Sequence, residues 1–129
     1  MPRTAKRYGL QLAPVDERCD PRKIAAAAAV YLEDLTKVFG RDTDSLTLAI
    51  TAYNCGEDCV KRAVAELKAK NLQPISFWGL LENNGRLSSP LVLESQDYVP
   101  RFFAAAILGE NPQRFGLEIQ RLSAYLTTQ

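Results

Sequence analysis

Residues 44–60 read DSLTLAITAYNCGEDCV, an apolar stretch with one polar, glycine-containing interruption. Its apolar residues recur at the spacing of one helix face: Leu46, Ala49, Ile50 and Tyr53. Asp44 or Ser45 is placed to cap the start of this helix, because short polar side chains accept hydrogen bonds from free N–H groups there. Asn54-Cys55-Gly56 predicts the end of the helix. Glu57 and Asp58 follow, and acidic residues suit the positive end of a new helix.

The sequence before this stretch predicts a long helix. Asp20-Pro21 combines a capping residue with a proline at the first helical position, and Gly40 predicts the end. The expected packing face recurs with helical spacing: Ile24, Ala28, Tyr31, Leu35 and Val38. A shorter helix over residues 2–8 precedes it.

The sequence after the stretch predicts a third helix, a short turn capped by Ser76, and a last strong helix from about Ser95 to Leu108. Gly109 is expected to end the last helix, and Pro100 is expected in or near its first turn, where a missing N–H is tolerated. The residues expected to pack are Tyr98, Phe102, Ala105 and either Ile107 or Leu108. No stretch alternates with the period of a strand, so the fold class predicted is all-α.

The composition fits one domain over residues 1–129, with a weakly patterned tail at 111–129. A net charge of +1 and the absence of any basic run argue against nucleic acid as a partner. The chain has no histidine, which removes the commonest metal ligand, and three thiols alone are an incomplete set for zinc. No metal and no other cofactor is expected. No run approaches the length of a membrane span, and the first residues do not resemble a signal peptide.

The cysteines Cys19, Cys55 and Cys59 form an odd set. Cys55 and Cys59 are four residues apart, which is near the upper end of the Cα separation that a disulfide tolerates. They are interpreted either as small buried residues or as a disulfide pair.

Four local patterns occur in a fixed order along the chain. They are Met1-Pro2-Arg3-Thr4-Ala5 with Tyr8-Gly9-Leu10, Asp20-Pro21 followed by the alanine-rich helix to Tyr31-Leu32, Ala52-Tyr53-Asn54-Cys55-Gly56, and Glu94-Ser95-Gln96-Asp97-Tyr98-Val99-Pro100-Arg101. Together they resemble the lytic transglycosylases of the SLT and goose-type lysozyme-like superfamily over about residues 1–110. Phe77-Trp78 resembles the membrane-bound murein transglycosylase D branch. Cys55 departs from the usual Ala or Ser, and Ser95 from the usual Thr.

The resemblance implies a lysozyme-like domain that cleaves peptidoglycan between N-acetylmuramic acid and N-acetylglucosamine, leaving 1,6-anhydro ends. In the family, a segment before M-P-x-T-A carries the catalytic glutamate. No catalytic residue is therefore expected in this chain, the domain is expected to be N-terminally truncated, and the acid is expected upstream of Met1. Glu57 is interpreted as a charge in the first turn of a helix rather than as a substitute acid.

The substrate-binding residues implied by the resemblance are Met1, Tyr53, Asn54, Glu94 and Tyr98. Without the resemblance, Tyr53 and Tyr98 would be interpreted as core residues, and Asn54 and Glu94 as residues of helix ends. The aromatic residues Phe77, Trp78 and Phe103 are expected in the core rather than as platforms for sugars.

The resemblance implies peptidoglycan strands as partner and the bacterial cell envelope as location. Two alternatives remain: a non-catalytic module that binds peptidoglycan, and a helical adaptor whose motifs match by accident. Association into homo-oligomers is also expected, because a truncated domain would expose part of its core.

Overall fold

The computed structural model describes residues 2–127, and the regular elements in that range are all helical. The α-helices are α1 (Pro2–Arg7), α2 (Pro21–Phe39), α3 (Thr43–Cys55), α4 (Glu57–Ala69), α5 (Phe77–Glu82) and α6 (Leu93–Glu110). Short 3-10 segments occupy Glu17–Cys19, Asn84–Arg86, Pro112–Phe115 and Leu122–Thr127. The all-α prediction is confirmed. Within the described part of the chain, no helix is long and apolar enough to span a bilayer.

The helix starts follow local capping. The Asp20 carboxylate accepts hydrogen bonds from the backbone N–H groups of Arg22 and Lys23, which confirms the predicted start of α2. Ser76 caps α5 in the same way, as predicted. The predicted cap of α3 is wrong: the cap is Asp42, whose carboxylate accepts from the Ser45 N–H at 3.0 Å. Ser45 therefore lies inside the first turn as a donor.

α3 is the central helix of the fold. It packs against α2, α4, α5 and α6, and its residues 47–52 are all buried. The two buried threonines lose no hydrogen bonds: Thr51 Oγ1 donates to the Thr47 carbonyl at 2.7 Å, and Thr47 Oγ1 donates to the Asp44 carbonyl at 2.6 Å. The core around α3 is formed by Leu35, Leu48, Ala49, Ile50, Ala52, Val60, Ala63, Leu67, Phe77, Leu80, Leu87, Leu91 and Val99.

α6 differs most from its prediction. It begins at Leu93 and continues to Glu110, so Pro100 lies inside the helix beyond the first turn, and Gly109 belongs to the helix. Gly109 is buried because Leu122 of the tail packs on it; a Cβ there would lie 2.4 Å from Leu122 Cδ1.

The predicted packing face of α6 is also wrong. The buried residues of this helix are Ser95, Val99 and Gly109, and Tyr98 is half-buried. The apolar residues expected to pack are exposed instead: Phe102, Ala105, Ile107 and Leu108. Ile107 has 56% of its surface exposed, because no described element covers that side of the helix.

Fewer apolar residues of α2 are buried than their helical spacing predicts. Leu35 is buried and Tyr31 half-buried, whereas Ile24 and Val38 are 38% and 45% exposed. In the same way Leu46, which begins the predicted stripe of α3, is 37% exposed. Helical spacing therefore identified these helices correctly but overestimated how many of their apolar residues are covered.

The segment before α6 is anchored at two points. The Asn84 side chain exchanges hydrogen bonds with the backbone of Leu91, at 3.0 and 2.6 Å. Glu66 of α4 accepts from both the backbone N–H and the hydroxyl of Ser88, each at 2.9 Å. These contacts fix the position at which α6 begins and bring its first turn against the end of α3.

Candidate functional site

The site is built around the break between α3 and α4. α3 ends at Cys55, and Gly56 has φ +94°, a left-handed conformation that a glycine adopts without strain. α4 then begins at Glu57. A disulfide joins Cys55 to Cys59 across the break, with their Cα atoms 6.0 Å apart, so the disulfide alternative is the one that the structure adopts. Cys19 is a free, exposed cysteine.

The last turn of α3 is hydrogen-bonded to the first turn of α6. The Ser95 hydroxyl donates to Asn54 Oδ1 at 2.7 Å, although the two residues are 41 positions apart in sequence. Ser95 is 1% exposed and Asn54 is half-buried. This contact joins two of the sequence patterns, one containing Asn54 and the other Ser95, at a single place.

Four tyrosine rings form a row across the site, one each from α2, α3 and α6 and one, Tyr8, directly after α1. Neighbouring ring centroids are separated by 5.0 Å for Tyr8–Tyr31, 5.4 Å for Tyr31–Tyr53 and 6.2 Å for Tyr53–Tyr98. The last pair is nearly parallel, at 24°. These distances lie in the range of favourable aromatic pairing, so the rings stabilise the arrangement of the helices that carry them. The row is called the tyrosine row below.

A cavity of about 190 Å³ lies beside the tyrosine row, between α1, α2 and the end of α3. Tyr8, Tyr31 and Tyr53 line it, with the small side chains of Ala27 and Ala28 along the α2 wall. Because these alanines occupy little space, the wall remains open enough for the rings to be reached. Arg18 is the charged residue of the lining, and its guanidinium is held by two-point hydrogen bonding to Asp16.

Three tyrosines of the row, Tyr8, Tyr31 and Tyr98, are favoured in their neutral form. Burial raises the pKa of Tyr8, Tyr31 and Tyr98 above the usual value for a phenol, because the charged phenolate is poorly solvated there. The Tyr8 hydroxyl donates to Asp34 Oδ2 at 3.1 Å, which adds to the rise. These three residues therefore offer apolar ring faces and neutral phenol groups rather than negative charge.

Five carboxyl groups of the described residues are unsuited to act as a general acid. A proton donor at neutral pH needs a raised pKa. Each carboxyl group between residues 2 and 127 whose pKa departs clearly from its usual value has that pKa lowered, chiefly by hydrogen bonds that it accepts. These groups are Asp16, Glu17, Asp34, Asp42 and Glu66.

The structure brings together three of the five predicted site residues. Tyr53, Asn54 and Tyr98 meet where α3 ends and α6 begins. Glu94 is exposed in the first turn of α6, one residue before Ser95, and makes no hydrogen bond or ion pair with residues 2–127. Met1 lies outside the described residues.

The sequence analysis did not predict that Tyr8 and Tyr31 belong to the tyrosine row, or that Ser95 is hydrogen-bonded to Asn54. Tyr8 and Tyr31 were assigned only to a motif and to a packing stripe, and Ser95 was treated as a mere departure from a pattern. The available signal was membership of the four ordered patterns. Tyr8 and Tyr31 lie in the first two of them, and Ser95 lies in the fourth together with Tyr98.

The other aromatic residues give a mixed result. Phe77 is fully buried and Phe103 is half-buried against the core, as predicted. The expectation for Trp78 is wrong: its side chain is 43% exposed, and it contacts the ring of Phe77 edge-on.

Comparison with known proteins gives two findings. A family model described as the transglycosylase SLT domain matches residues 1–75. Two curated proteins, both named membrane-bound lytic murein transglycosylase D, from Escherichia coli K12 and Escherichia coli O6:H1, are 33% identical to this chain over 120 residues. The aligned part is 92% of this chain and 24% of each relative, so the chain spans about a quarter of the length of these relatives.

Proposed function

This chain belongs to the transglycosylase SLT family, and we propose that it forms the glycan-binding part of a lytic transglycosylase catalytic domain. The substrate would be the peptidoglycan strand. The bond cleaved would be the β-1,4 link between N-acetylmuramic acid and N-acetylglucosamine.

The proposed reaction consumes no water. A carboxylic acid protonates the oxygen that leaves the anomeric carbon, and the bond between the two breaks. The 6-hydroxyl oxygen of the muramoyl residue forms the new bond to that carbon, and its proton returns to the carboxylate. The product carries a 1,6-anhydro end. One carboxyl group is sufficient, in contrast to the usual pair, because the substrate supplies its own nucleophile.

The observation that carries the proposal is the hydrogen bond between Ser95 and Asn54, together with the stacking of Tyr53 on Tyr98. Two patterns that are distant in the chain and that both resemble the family thereby meet at one surface, formed by Tyr53, Asn54 and Tyr98, which is proposed as the sugar-binding groove. Apolar ring faces next to hydrogen-bonding groups are what a pyranose ring requires, because its C–H faces are apolar and its edges are polar.

Each predicted residue receives a proposed role. Tyr53 and Tyr98 would contact sugar rings, and Asn54 would hydrogen-bond to a polar group at a ring edge. The exposed Glu94 carboxylate would accept from an N-acetyl N–H or from the peptide stem. Met1 would line the sugar subsite.

The proton donor is proposed to come from a segment upstream of Met1. The lowered pKa values of Asp16, Glu17, Asp34, Asp42 and Glu66 agree with this assignment, because these five groups are unsuited to donate a proton at neutral pH. The DNA before the Met1 codon tests it. An in-frame E-S-x-F/W-x-P pattern would support an upstream acid, and a stop codon without that pattern would exclude it.

The same observation favours a second candidate, a module that binds peptidoglycan without cutting it. Both candidates would bind glycan at the same groove, but only the enzyme would have a catalytic acid. Mass spectrometry of peptidoglycan sacculi digested with the product of the longer reading frame separates them. The appearance of 1,6-anhydro muropeptides identifies the enzyme, and their absence with retained binding identifies the module.

Binding by residues 1–129 is tested by cosedimentation with purified sacculi. We expect the chain to bind, and we expect Tyr98→Ala to weaken binding about tenfold through loss of an aromatic contact. Tyr125→Ala is the matched control, because Tyr125 is 59% exposed and lies in the tail, away from the tyrosine row. A folded chain that stays in the supernatant would contradict the proposed function.

We propose the cell envelope as the location. The Cys55–Cys59 disulfide supports it, since disulfides persist in oxidising compartments outside the cytoplasm. Peptidoglycan lies in the same compartment.

Self-association is also proposed, through exposed apolar side chains of α6. Phe102, Ile107 and Leu108 are 37%, 56% and 40% exposed, and exposed apolar side chains favour contact between proteins. Analytical ultracentrifugation tests this: Ile107→Lys is expected to shift the chain towards monomer. Identical sedimentation of both proteins would contradict it.

A further inference from the structure

We propose that Ser95 is a positioning residue that turns the Asn54 side-chain amide so that its N–H donors, and not its carbonyl, face the groove. This inference rests on the proposed function for its ligand, but the orientation itself stands on hydrogen bonds within the protein.

The hydroxyl of Ser95 has one proton, and this proton is donated to another helix rather than to a carbonyl of α6. A serine in a helix commonly donates to the backbone carbonyl three or four residues earlier. Four residues earlier, the Leu91 carbonyl already accepts from Asn84 Nδ2 at 3.0 Å and from Gln96 Nε2 at 2.7 Å. A carbonyl oxygen has two lone pairs, so Leu91 has none left for Ser95.

The carbonyl three residues earlier, that of Val92, keeps a lone pair beyond its helical hydrogen bond, but the Ser95 hydroxyl is not directed at it. Val92 accepts from the Gln96 backbone N–H at 3.1 Å, the contact with which α6 starts. The Ser95 proton goes instead across to α3, to Asn54 Oδ1 at 2.7 Å. Burial of Ser95 strengthens this choice, because a buried hydroxyl without an acceptor is destabilising.

An Asn side chain has a carbonyl on one side and an amino group on the other. Since Oδ1 is directed at Ser95, Nδ2 is directed away from it. Nδ2 makes no hydrogen bond with residues 2–127, and no buried side-chain nitrogen or oxygen in that range lacks a partner. The Asn54 amino group is therefore in contact with solvent, at the end of α3 next to Tyr53.

The orientation decides which ligand groups fit. Two N–H donors recognise an acceptor oxygen, such as the carbonyl of an N-acetyl group or a ring hydroxyl of an N-acetylated sugar. With the amide reversed, the groove would present an acceptor and would select N–H or O–H donors instead. The Ser95 hydroxyl thus sets the hydrogen-bond polarity of the site without touching the ligand.

The orientation is tested on the unaltered protein by hydrogen exchange of side-chain amides in 15N-resolved NMR. Asn54 protons are expected to exchange fast with water. Asn83 is the internal reference for slow exchange, because its Nδ2 donates to the Gly79 carbonyl at 2.9 Å in a buried position. Slow exchange of one Asn54 amide proton would mean that Nδ2 points at Ser95, and would overturn the proposal.

The consequence for binding is tested with the trisaccharide of N-acetylglucosamine and two variants of equal shape. Ser95→Thr keeps the hydroxyl and should bind within about twofold of the unaltered chain, whereas Ser95→Val loses it and should bind about threefold to tenfold more weakly. Equal affinities of the Thr and Val variants would overturn the role of the hydroxyl. Ser88→Ala, which removes a hydroxyl bonded to Glu66 elsewhere, is the control and should bind as the unaltered chain does.

The two tests separate this inference from the proposed function. If the unaltered chain fails to bind both the trisaccharide and sacculi, the proposed function fails, while amide exchange still decides the orientation of Asn54. If the chain binds and Asn54 exchanges slowly, the proposed function stands and the role of Ser95 fails.

Discussion

In α3, six consecutive residues, 47–52, are buried, whereas in the adjacent α2 one residue of nineteen, Leu35, is buried. Both helices carry apolar residues at helical spacing, and they pack directly against each other. The difference lies in their surroundings. α3 is enclosed by α2, α4, α5 and α6, while α2 has α3 on one side and the short segment Glu17–Cys19 near its start.

The two helices contribute to the site in different ways. α3 is held on all sides, so its last turn presents Tyr53 and Asn54 from a fixed position. α2 forms one wall of the cavity, with Tyr31 among its lining residues, and leaves its other side to solvent. The central helix therefore fixes the positions of Tyr53 and Asn54, and the peripheral helix supplies one wall of the cavity beside the tyrosine row.

The sharpest test makes the same substitution in both helices. Ile50 of α3 is 1% exposed and Ile24 of α2 is 38% exposed. Ile50→Ala is expected to lower the free energy of unfolding by about 2–5 kcal/mol, because the cavity left cannot be filled by neighbours. Ile24→Ala is expected to cost less than about 1 kcal/mol. Urea unfolding followed by circular dichroism measures both, and equal losses would contradict the contrast between the helices.

A second test asks whether packing alone holds the end of α3. Replacing Cys55 and Cys59 together by Ala removes the disulfide across the break and should lower the free energy of unfolding by about 2 kcal/mol, the value expected for so short a loop. Cys19→Ala is the control, since Cys19 is free and exposed; its effect should stay within about 0.5 kcal/mol. A double variant as stable as the control would show that the buried turns of α3 need no covalent support.

A smaller effect is expected from a polar group inside α3. Thr51→Val removes a buried hydroxyl that donates to the Thr47 carbonyl at 2.7 Å. That carbonyl keeps its backbone partner in the helix, so no buried group loses its only hydrogen bond. The expected loss is about 1 kcal/mol by thermal unfolding. A loss as large as that of Ile50→Ala would mean that α3 depends on its hydroxyls as much as on its apolar packing.

The smallest effect is expected for Asp34 of α2, through a change in its pKa. Hydrogen bonds from Lys37 and then from Tyr8 hold the pKa of Asp34 below its usual value. A carboxyl group with a lowered folded-state pKa stabilises the protein above its unfolded-state pKa, and this contribution disappears as the pH falls through the folded-state pKa. Tyr8→Phe removes one of these hydrogen bonds and should raise the pKa of Asp34. The stabilisation by the ionised Asp34 carboxylate is then smaller, and it is lost completely at a higher pH.

An NMR titration of the Asp34 carboxyl carbon measures this change. Tyr125→Phe serves as the control, because Tyr125 lies in the tail. An unchanged pKa of Asp34 in the Tyr8 variant would show that the hydrogen bond between Tyr8 and Asp34 contributes nothing to the lowered pKa.

Much of the fold could be predicted because helix ends are decided locally. Asp20-Pro21, Gly40, Ser76 and the break before Glu57 each act through the nearest turn of backbone, and each was interpreted correctly. The cap of α3 was placed two or three residues late because several acidic and hydroxyl residues compete there, and the sequence does not say which of them accepts the hydrogen bond from the first free N–H group.

The buried face of α6 and the contacts of the site could not be predicted in the same way. Ser95 and Val99 are buried, and Ile107 is not, because of where α3 and the tail lie. The bond between Ser95 and Asn54 joins residues 41 positions apart, and no periodicity within either helix contains that information. The resemblance placed both residues in functional patterns but did not indicate that they touch.

The tyrosine row has a further consequence for spectroscopy. Its rings belong to different parts of the chain, and each centroid lies within 6.2 Å of the next. Aromatic ring currents change the resonance frequencies of protons at this range, and the change depends steeply on tilt and distance. A rotation of α2 or α6 by a few degrees would therefore alter the ring-proton spectrum of Tyr53, so the groove carries its own probe of helix arrangement and needs no added label.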